Sequence, residues 1–513
     1  MKKNLDRLNM HRVSASLILI LLTTGMCDLA RATDLALLQV LRNNKLITDS
    51  QFQALAEAAK SALPAELPVP QADQDVLDVL LANKLITPAQ FAALRIKTGQ
   101  EKRNDPEAKT ALKDGLKVKT QDGTFQAQIG TYFQVDAASY GDDKTDFSTG
   151  TELRRGRISV AGTLFTDWDY KLEADFAGTT QGGATNTVTV TDAYTRYNGF
   201  RPFALTVGSF KVPFGLEAVG SAKYQTFNER GLPFAFLTLR RLGAMVADNG
   251  DNWTASVGAF GDTVTSQNGD DEGTQVAGRV TYAPFYTGDR VLHFGLSSSW
   301  VAPAQNPKTV NNGIETIQFR AKPESNLISD GLIPSAALTA AGQTFGRSSG
   351  RLVDTGNITG GISGFLLTGA EFAGVYGPFS VQGEYIRTDV DRDLGGNLSF
   401  DGYYAYASWF LTGESRVYRG DKGVFDAFAP RNPFNLTYGG WGAWELAARF
   451  SALDLNDRKV AGGYLEDATF GLNWYPNAYV RVMANYINVL KVAGGAHSGD
   501  NPDVFQLRFQ FAY

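Results

Sequence analysis

The chain has 513 residues, of which 53 are acidic and 48 basic, giving a formal net charge of −5; 12% are aromatic. An acidic balance argues against a nucleic-acid-binding protein, which would need a basic face. With a single cysteine, the chain has no disulfide framework, so its stability must come from the fold alone.

Residues 1–32 have the pattern of a secretory signal peptide. Basic residues precede an apolar run that ends near Leu22, and Ala30 and Ala32 supply a small-x-small cleavage signature. The run is too short to span a bilayer, and Cys27 follows it. Cleavage after Ala32 removes five basic and two acidic residues, so the mature charge is −5 − 3 = −8. No later window of about 20 apolar residues exists, which excludes a helical membrane protein.

Residues 33–100 contain an internal repeat. Val40–Leu55 and Val79–Leu94 lie 39 positions apart and share 11 of 16 residues. The pattern of each copy predicts a helix, a turn and a second helix. After the turn, a threonine is followed three residues later by a glutamine, which is the spacing of a helix capping box. We expect a small α-helical module in the periplasm, whose partner the sequence does not identify. A charged linker is expected at residues 101–115.

From residue 116 to residue 513 the hydrophobic period changes to two. Tyr170–Phe176 sets apolar residues against lysine, glutamate and aspartate, and Val504–Tyr513 alternates in the same way up to an aromatic C-terminus. A soluble β-sandwich would also alternate. Segments of about 9–11 residues with full charges on the polar side favour strands that cross a bilayer around a wet lumen.

The fold class predicted is therefore all-β: a transmembrane antiparallel β-barrel of about 16 strands (16–18), preceded by the helical module. Only a closed barrel pairs every backbone group of strands in lipid. Short turns and long Gly/Asp/Asn loops alternate along the chain, so we expect the short turns in the periplasm and the long loops outside. This places the protein in the outer membrane of a Gram-negative bacterium, in contact with its lipid.

Several segments, in order, resemble the phosphate-selective porin O and P family: Leu153–Ala177, Asp192–Glu217, Phe410–Tyr418, Gly442–Asp457 and Asn473–Val489. The resemblance spans the barrel region and does not clearly include the helical repeat. It implies a homotrimeric anion channel with 16 strands per chain, in which a loop after Gly208–Glu217 folds inward and narrows the pore. Small inorganic anions, with phosphate or polyphosphate as candidates, would be the solutes.

The resemblance also implies functional residues. Arg154 and Arg155 match paired arginines of a pore ladder, Lys223 matches a constriction lysine, and Asp192 matches an acidic residue facing the ion. The candidate anion path also includes Arg157, which lies on the polar face of a predicted strand. Arg320 and Lys322 complete it, because they fall where the family has a denser run of arginines. The constriction-loop candidates, which anchor or bracket the inward loop, are Lys211, Glu229, Arg230, Arg240 and Arg241.

Other functions remain open at this point. The family's phosphate-selective members carry pore lysines at places that fall near Asp391 and Ser399, so a general or cation-preferring porin is an alternative. A structural barrel that tethers the envelope is another. Catalysis has little support, because the mature chain has only His293 and His497 to serve a serine triad. We expect no metal and no cofactor, since no Cys/His cluster is present.

Overall fold

The structure, a computed structural model, describes residues 49, 109–111, 116–120, 124–145, 147, 149–177, 188–264, 273–302, 317–327, 350–437 and 439–513. The predicted signal peptide, the helical repeat apart from residue 49, and most of the predicted linker lie outside these residues. The chain divides into two units, Met1–Asp105 and Pro106–Tyr513, and the second contains the sheet.

A closed antiparallel barrel is formed by 16 strands, which confirms the predicted barrel. The sheet has 18 strands; two short ones, β1 (Lys109–Ala111) and β2 (Leu116–Lys119), lie outside the closed ring, and 18 − 2 = 16. The first half of the ring comprises β3 (Gln126–Gly141), β4 (Gly150–Leu164), β5 (Trp168–Asp175), β6 (Thr189–Tyr197), β7 (Ala204–Lys211), β8 (Arg240–Asn249), β9 (Trp253–Phe260) and β10 (Thr274–Thr287).

The second half of the ring comprises β11 (Arg290–Ala302), β14 (Ile362–Tyr376), β15 (Phe379–Arg392), β16 (Leu398–Phe410), β19 (Ala443–Asp457), β20 (Val460–Tyr475), β21 (Val480–Ala493) and β22 (Asp503–Ala512). Two small ladders lie in the connections between ring strands: β12 (Arg320–Ala321) pairs with β13 (Val353–Asp354), and β17 (Val417–Arg419) pairs with β18 (Val424–Asp426). Each ring strand pairs with the next, β11 with β14 and β16 with β19, and β22 closes the ring on β3. One short helix, α1 (Leu216–Val219), and two 3-10 turns, Ala222–Tyr224 and Leu232–Phe236, lie between β7 and β8.

Side chains alternate between an apolar outer face and a polar lumen, as the period of two predicts. On β11, Phe294 and Leu296 are 46% and 63% exposed on the outer face. His293, the residue before Phe294, lies on the lumen face and is fully buried. Among the described residues, no helix is long and apolar enough to cross a membrane.

The two ends of the barrel differ from the expected arrangement of connections. We take the end with the C-terminus as periplasmic, since single-chain bacterial barrels have their short turns there. Most connections at that end are short, but residues 411–442 form a long one, and residues 458–459 form a two-residue turn at the opposite end. The prediction that every long connection lies outside is wrong here, because alternation locates strands without fixing where a connection folds.

The wall is not uniform in height. β5, β7 and β9 have 8 residues each, whereas β3 and β20 have 16. Adjacent strands from β5 to β9 thus form a low wall, and the strands from β10 to β21 form a tall one. The outer surface of the barrel therefore differs in height around the ring.

In the parts of the chain that the structure describes, three connections fold into the barrel. The inward loop (residues 212–239) follows β7, as the family resemblance implied. Residues 317–327 enter from the external end, where Glu324 binds Arg449 of β19 at 2.5 Å. The hairpin β17–β18 enters from the periplasmic end, where the Tyr418 hydroxyl lies 2.6 Å from His293 Nδ1. Each insertion is therefore held to the wall by buried polar contacts.

These insertions fill one side of the lumen with an apolar core. Leu232 and Phe236 of the inward loop pack with Phe319 and Leu352 of the external connection. Against them lie inward-facing apolar residues of the tall wall: Phe365, Leu367, Ile386, Phe400, Leu453, Leu465 and Val489. On the other side of the lumen, a cavity remains beside the strands from β3 to β8.

Replacement of Leu296 by arginine is expected to destabilise the barrel by about 2–4 kcal/mol, the range measured for a lipid-facing arginine near the bilayer midplane. Leu296 lies in the middle of β11 on the outer face. Denaturant unfolding of the protein refolded in vesicles would measure the change. Leu394→Arg is the matched control, because Leu394 is 73% exposed in the connection between β15 and β16. Equal effects of the two substitutions would contradict the assigned lipid face.

Candidate functional site

A cavity of about 460 Å³ lies between the strands β3–β8, the inward loop and the tip of the β17–β18 hairpin. Its charged lining is predominantly basic. The cations are Arg155, Arg157, Lys171, Arg196, Lys211, Lys223, Arg230, Arg240 and Lys422, and the carboxylates are Glu173, Asp192 and Asp426. Nine cations against three carboxylates give the cavity a positive field although the whole chain is acidic.

Two of the carboxylates lie side by side on the wall and are bound by cations. Glu173 and Asp192 are cross-strand neighbours on β5 and β6. Lys171 lies 3.0 Å from Glu173 and 2.6 Å from Asp192, and Arg240 lies 2.5 Å from Asp192. Arg157 binds Glu173 at 3.1 Å. Because these carboxylates are neutralised by their neighbours, they orient the cations more than they repel an anion.

A second cluster joins the inward loop to the wall through Glu229. Arg154 binds both carboxylate oxygens at 2.7 and 2.9 Å, Arg508 binds one at 2.7 Å, and Arg155 lies at 3.8 Å. Burial alone would raise the pKa of Glu229, but these three arginines lower the pKa well below its usual value. The loop is thus fixed by a carboxylate that stays ionised.

A bulge explains why two consecutive arginines both reach the lumen. The register between β3 and β4 shifts where Gln134 faces Arg155 and the next pair is Val135 with Leu153. Arg154 is the extra residue. Strict alternation would have put one of the two arginines in lipid, whereas the bulge turns both inward.

Lys223 occupies the cavity with its charge unneutralised. Its ammonium lies 5.6 Å from the ring centres of both Tyr132 and Tyr224. In the part of the chain that the structure describes, no carboxylate lies within salt-bridge distance of it. Its backbone carbonyl accepts a hydrogen bond of 3.0 Å from Gln510 of β22. Burial, followed by repulsion from Lys171, lowers the pKa of this ammonium.

Backbone contacts hold the rest of the inward loop in place. Lys211 donates to the carbonyls of Val219 and Gly220 at 2.9 and 2.5 Å, so it anchors the loop to the end of β7. Arg230 donates from Nε to the Glu217 carbonyl at 3.0 Å. Its guanidinium carbon lies 4.6 Å from the Phe234 ring centre. Both cations line the cavity while they brace the loop.

Several residues singled out from the sequence lie elsewhere. Arg320 is exposed on β12, and Lys322 donates to the Asn326 carbonyl at 3.1 Å. Arg241 is not among the residues that line the cavity, and it donates to the Gly261 carbonyl at 2.8 Å. The positions near family lysines, Asp391 and Ser399, lie at the external ends of β15 and β16. The structure therefore does not bring these residues together with the cation cluster.

Sequence reasoning missed three cations of the cavity. Lys171 and Arg196 lie on strand faces that alternation places in the lumen, but nothing marked them out from other lumen charges. Lys422 lies at the tip of the β17–β18 hairpin, and only the fold shows that this connection enters the barrel. The described residues contain no group of three or more His, Cys, Asp or Glu side chains placed to hold a metal ion.

A closed 16-stranded barrel with an apolar outer face and a cation-lined lumen defines an outer-membrane porin. Residues 127–513 match the family described as phosphate-selective porin O and P, and the chain belongs to this family. It is a passive channel for small anions in the outer membrane of a Gram-negative bacterium, and not an enzyme.

Relatives cover most of the chain. Porin O of Pseudomonas aeruginosa is 26% identical over 426 residues, which are 78% of this chain and 91% of the relative. An uncharacterized protein of Caulobacter vibrioides is 28% identical over 374 residues, covering 71% and 67%. Among solved structures, the anion-selective porin from Comamonas acidovorans is similar with a TM-score of 0.48 and 13% identity, covering 76% of this chain and all of that chain.

Proposed function

We propose that the cation-lined cavity is the constriction that selects anions, and that phosphate-class oxyanions pass through it. The observation that carries this proposal is the excess of nine cations over three carboxylates around the cavity. An ion that enters a narrow path loses hydration, and fixed charges of opposite sign must replace it. Arginine can do so with two parallel hydrogen bonds to an oxyanion, and lysine can do so as a point charge.

Within this constriction, Lys223 and Arg230 are the cations that contact the passing ion. Both belong to the inward loop, both line the cavity, and the described residues place no carboxylate within salt-bridge distance of either. Arg155, Arg157, Lys171 and Arg240 sit on the wall with carboxylate partners, so they set the field around the path. Asp192 holds Arg240 and Lys171 in position.

The test is the ion preference of the purified channel in planar bilayers. A reversal potential in a KCl gradient should show anion preference, and chloride conductance should fall when phosphate is added, as phosphate occupies the path. Equal block by sulfate would support a general anion channel. Cation preference would overturn the constriction assignment, and absence of conductance would favour a tethering barrel.

The low wall supports a homotrimer. A strand of 8 residues rising about 3.3 Å per residue and tilted by about 45° spans only about 19 Å. The apolar band of an outer-membrane barrel is about 25 Å tall. Exposure of the β5–β9 wall to lipid would leave that band incomplete, so contact with two further copies of the chain is the better environment.

We also propose that the N-terminal region serves export and extends into the periplasm. Residues 1–32 direct export and are removed, and the helical repeat at residues 33–100 lies in the periplasm, joined through residues 101–115 to the barrel. This placement is supported by the position of β1 and β2 next to the start of β3, at the same end as the C-terminus. The module's partner is not identified.

A further inference from the structure

The second half of the periplasmic connection between β16 and β19 folds outward over the barrel's lipid face. We call the described residues 431–437 and 439–442 the rim hook. Phe434 packs edge-on against Trp474, with ring centres 5.3 Å apart, and Trp474 stacks on Trp444 at 5.6 Å. Both indole N–H groups donate to the Trp441 carbonyl, at 2.9 Å from Trp474 and 3.3 Å from Trp444. These tryptophans belong to the outward faces of β19 and β20, so the rim hook continues the lipid-facing surface.

Several backbone groups of the rim hook are hydrogen-bonded within the segment or to its neighbours. Asn435 donates to the Gly440 carbonyl at 3.0 Å, and Gly439 and Gly440 donate back to the Asn435 carbonyl at 2.9 and 3.1 Å. Its two ends are tied down, since Phe434 donates to the Pro476 carbonyl at 2.7 Å and Gly442 to the Asn432 carbonyl at 2.9 Å. Each of these hydrogen bonds lowers the cost of moving the segment out of water, because backbone groups without partners are what make a loop costly in an apolar medium.

The tip of the rim hook is apolar and open. Leu436 is 88% exposed, the highest value among the large apolar side chains of the described residues, and Trp441 is 71% exposed. Arg431, at the base, is the only charged residue from residue 427 to residue 442. A leucine and a tryptophan at the tip with an arginine behind them match the order of environments from acyl chains to phosphates.

The rim hook also lies on the side of the barrel that faces lipid. It packs on β19 and β20, which stand eight and nine ring positions beyond β7, the centre of the low wall, in the ring of 16. If the low wall faces other copies, the rim hook lies on the outer perimeter of the assembly. Only the placement on the perimeter rests on the proposed trimer; the contacts with the outward tryptophans do not.

We propose that the rim hook inserts its tip into the periplasmic leaflet of the outer membrane. Leu436 and Trp441 enter the boundary between acyl chains and headgroups, and Arg431 lies at the level of the phosphates. The connection thus has two parts with separate roles: β17–β18 inside the lumen and the rim hook in the lipid. The partner of this surface is phospholipid, not protein.

Lipid-dependent fluorescence quenching tests the insertion. Single cysteines at three positions, Leu436→Cys, Phe470→Cys and Leu394→Cys, are introduced into the mature chain, which has no cysteine once residues 1–32 are removed, and are labelled with a polarity-sensitive fluorophore. Phe470 is 56% exposed on the outer face of β20 and serves as the lipid standard, and Leu394, 73% exposed at the external end, serves as the water standard. Each protein is refolded into phosphatidylcholine vesicles with or without bromine near the headgroup end of the acyl chains.

The fluorophore at position 436 is expected to emit at shorter wavelength than that at 394 and to lose most of its intensity in brominated vesicles, as the one at 470 does. A water-like emission at 436 without quenching, while 470 is quenched, would overturn the insertion. Disulfide formation between copies through Leu436→Cys would also overturn it, because the surface would then face protein. Channel conductance of the labelled proteins is measured separately, so that failure of the rim hook and failure of the anion path are distinguishable.

Discussion

A Lys223→Glu channel is expected to lose most of its preference for anions over cations. The substitution changes the balance around the cavity from nine cations and three carboxylates to eight and four. A unit charge about 8 Å from an ion is worth about 2 kcal/mol at an effective dielectric constant of about 20. Because a positive charge is removed and a negative one added, we expect the anion-to-cation permeability ratio to fall by at least about 30-fold.

Reversal potentials in asymmetric KCl, measured on single channels, give this ratio directly. Lys459→Glu is the matched control. Lys459 is exposed in the external turn between β19 and β20, so this substitution makes the same charge reversal far from the cavity. Lys223→Gln should fall between the wild type and the glutamate variant. An unchanged ratio in Lys223→Glu, with normal conductance, would place this ammonium outside the ion path.

Glu229→Gln is expected to release the inward loop and to destabilise the barrel by about 3–5 kcal/mol, the usual cost of removing one partner from a buried ion pair. Three arginines, Arg154, Arg155 and Arg508, would lose the carboxylate that they share. The freed loop should widen the path, so single-channel conductance should rise and become noisier. Denaturant unfolding and conductance measure the two effects on the same preparation.

Glu466→Gln is the control for this substitution. Glu466 accepts a hydrogen bond from the Tyr464 hydroxyl, and no cation of the described residues lies within salt-bridge distance of it. Acid provides a second check, because protonation of Glu229 should imitate the amide. The folded-state pKa of Glu229 is depressed, so its stabilising contribution is present above the pKa of the unfolded chain and is lost as pH falls through the lower, folded value. Wild-type conductance should therefore stay steady as the pH falls through the ordinary pKa range of glutamate. A change in conductance already within that range would contradict the proposed pairing.

The barrel was predictable because a period of two with charges on one face has few structural solutions. β22 illustrates this: Phe505, Leu507 and Phe509 are 48%, 42% and 42% exposed outside, and Gln506 and Arg508 are buried within. The C-terminal Tyr513 exchanges backbone hydrogen bonds with Thr131 of β3, at 2.8 and 2.9 Å, and so continues the closure of the ring. Local pattern and global fold agree in this strand.

The candidate site was predictable only where a residue lay on a regular strand or matched a family motif. Arg155, Asp192 and Lys223 lie at the cavity. Arg320 and Lys322 do not, because they lie in a connection whose path depends on long-range packing against the tall wall. Lys422 was missed for the same reason. Periodicity fixes which face a strand residue takes, but it carries no information on where a long connection folds.

The direct pairing of β16 with β19 has a consequence for how such channels can diversify. These two strands hydrogen-bond directly over Asp401–Phe410 and Glu445–Asp454, so residues 411–442 do not set their register. Insertions, deletions or exchanges in that stretch can move the hairpin tip that carries Lys422 without shifting the pairing of β16 with β19. Under the proposed constriction, mutation in this stretch retunes the solute preference from the periplasmic side, while the 16-stranded ring stays the same.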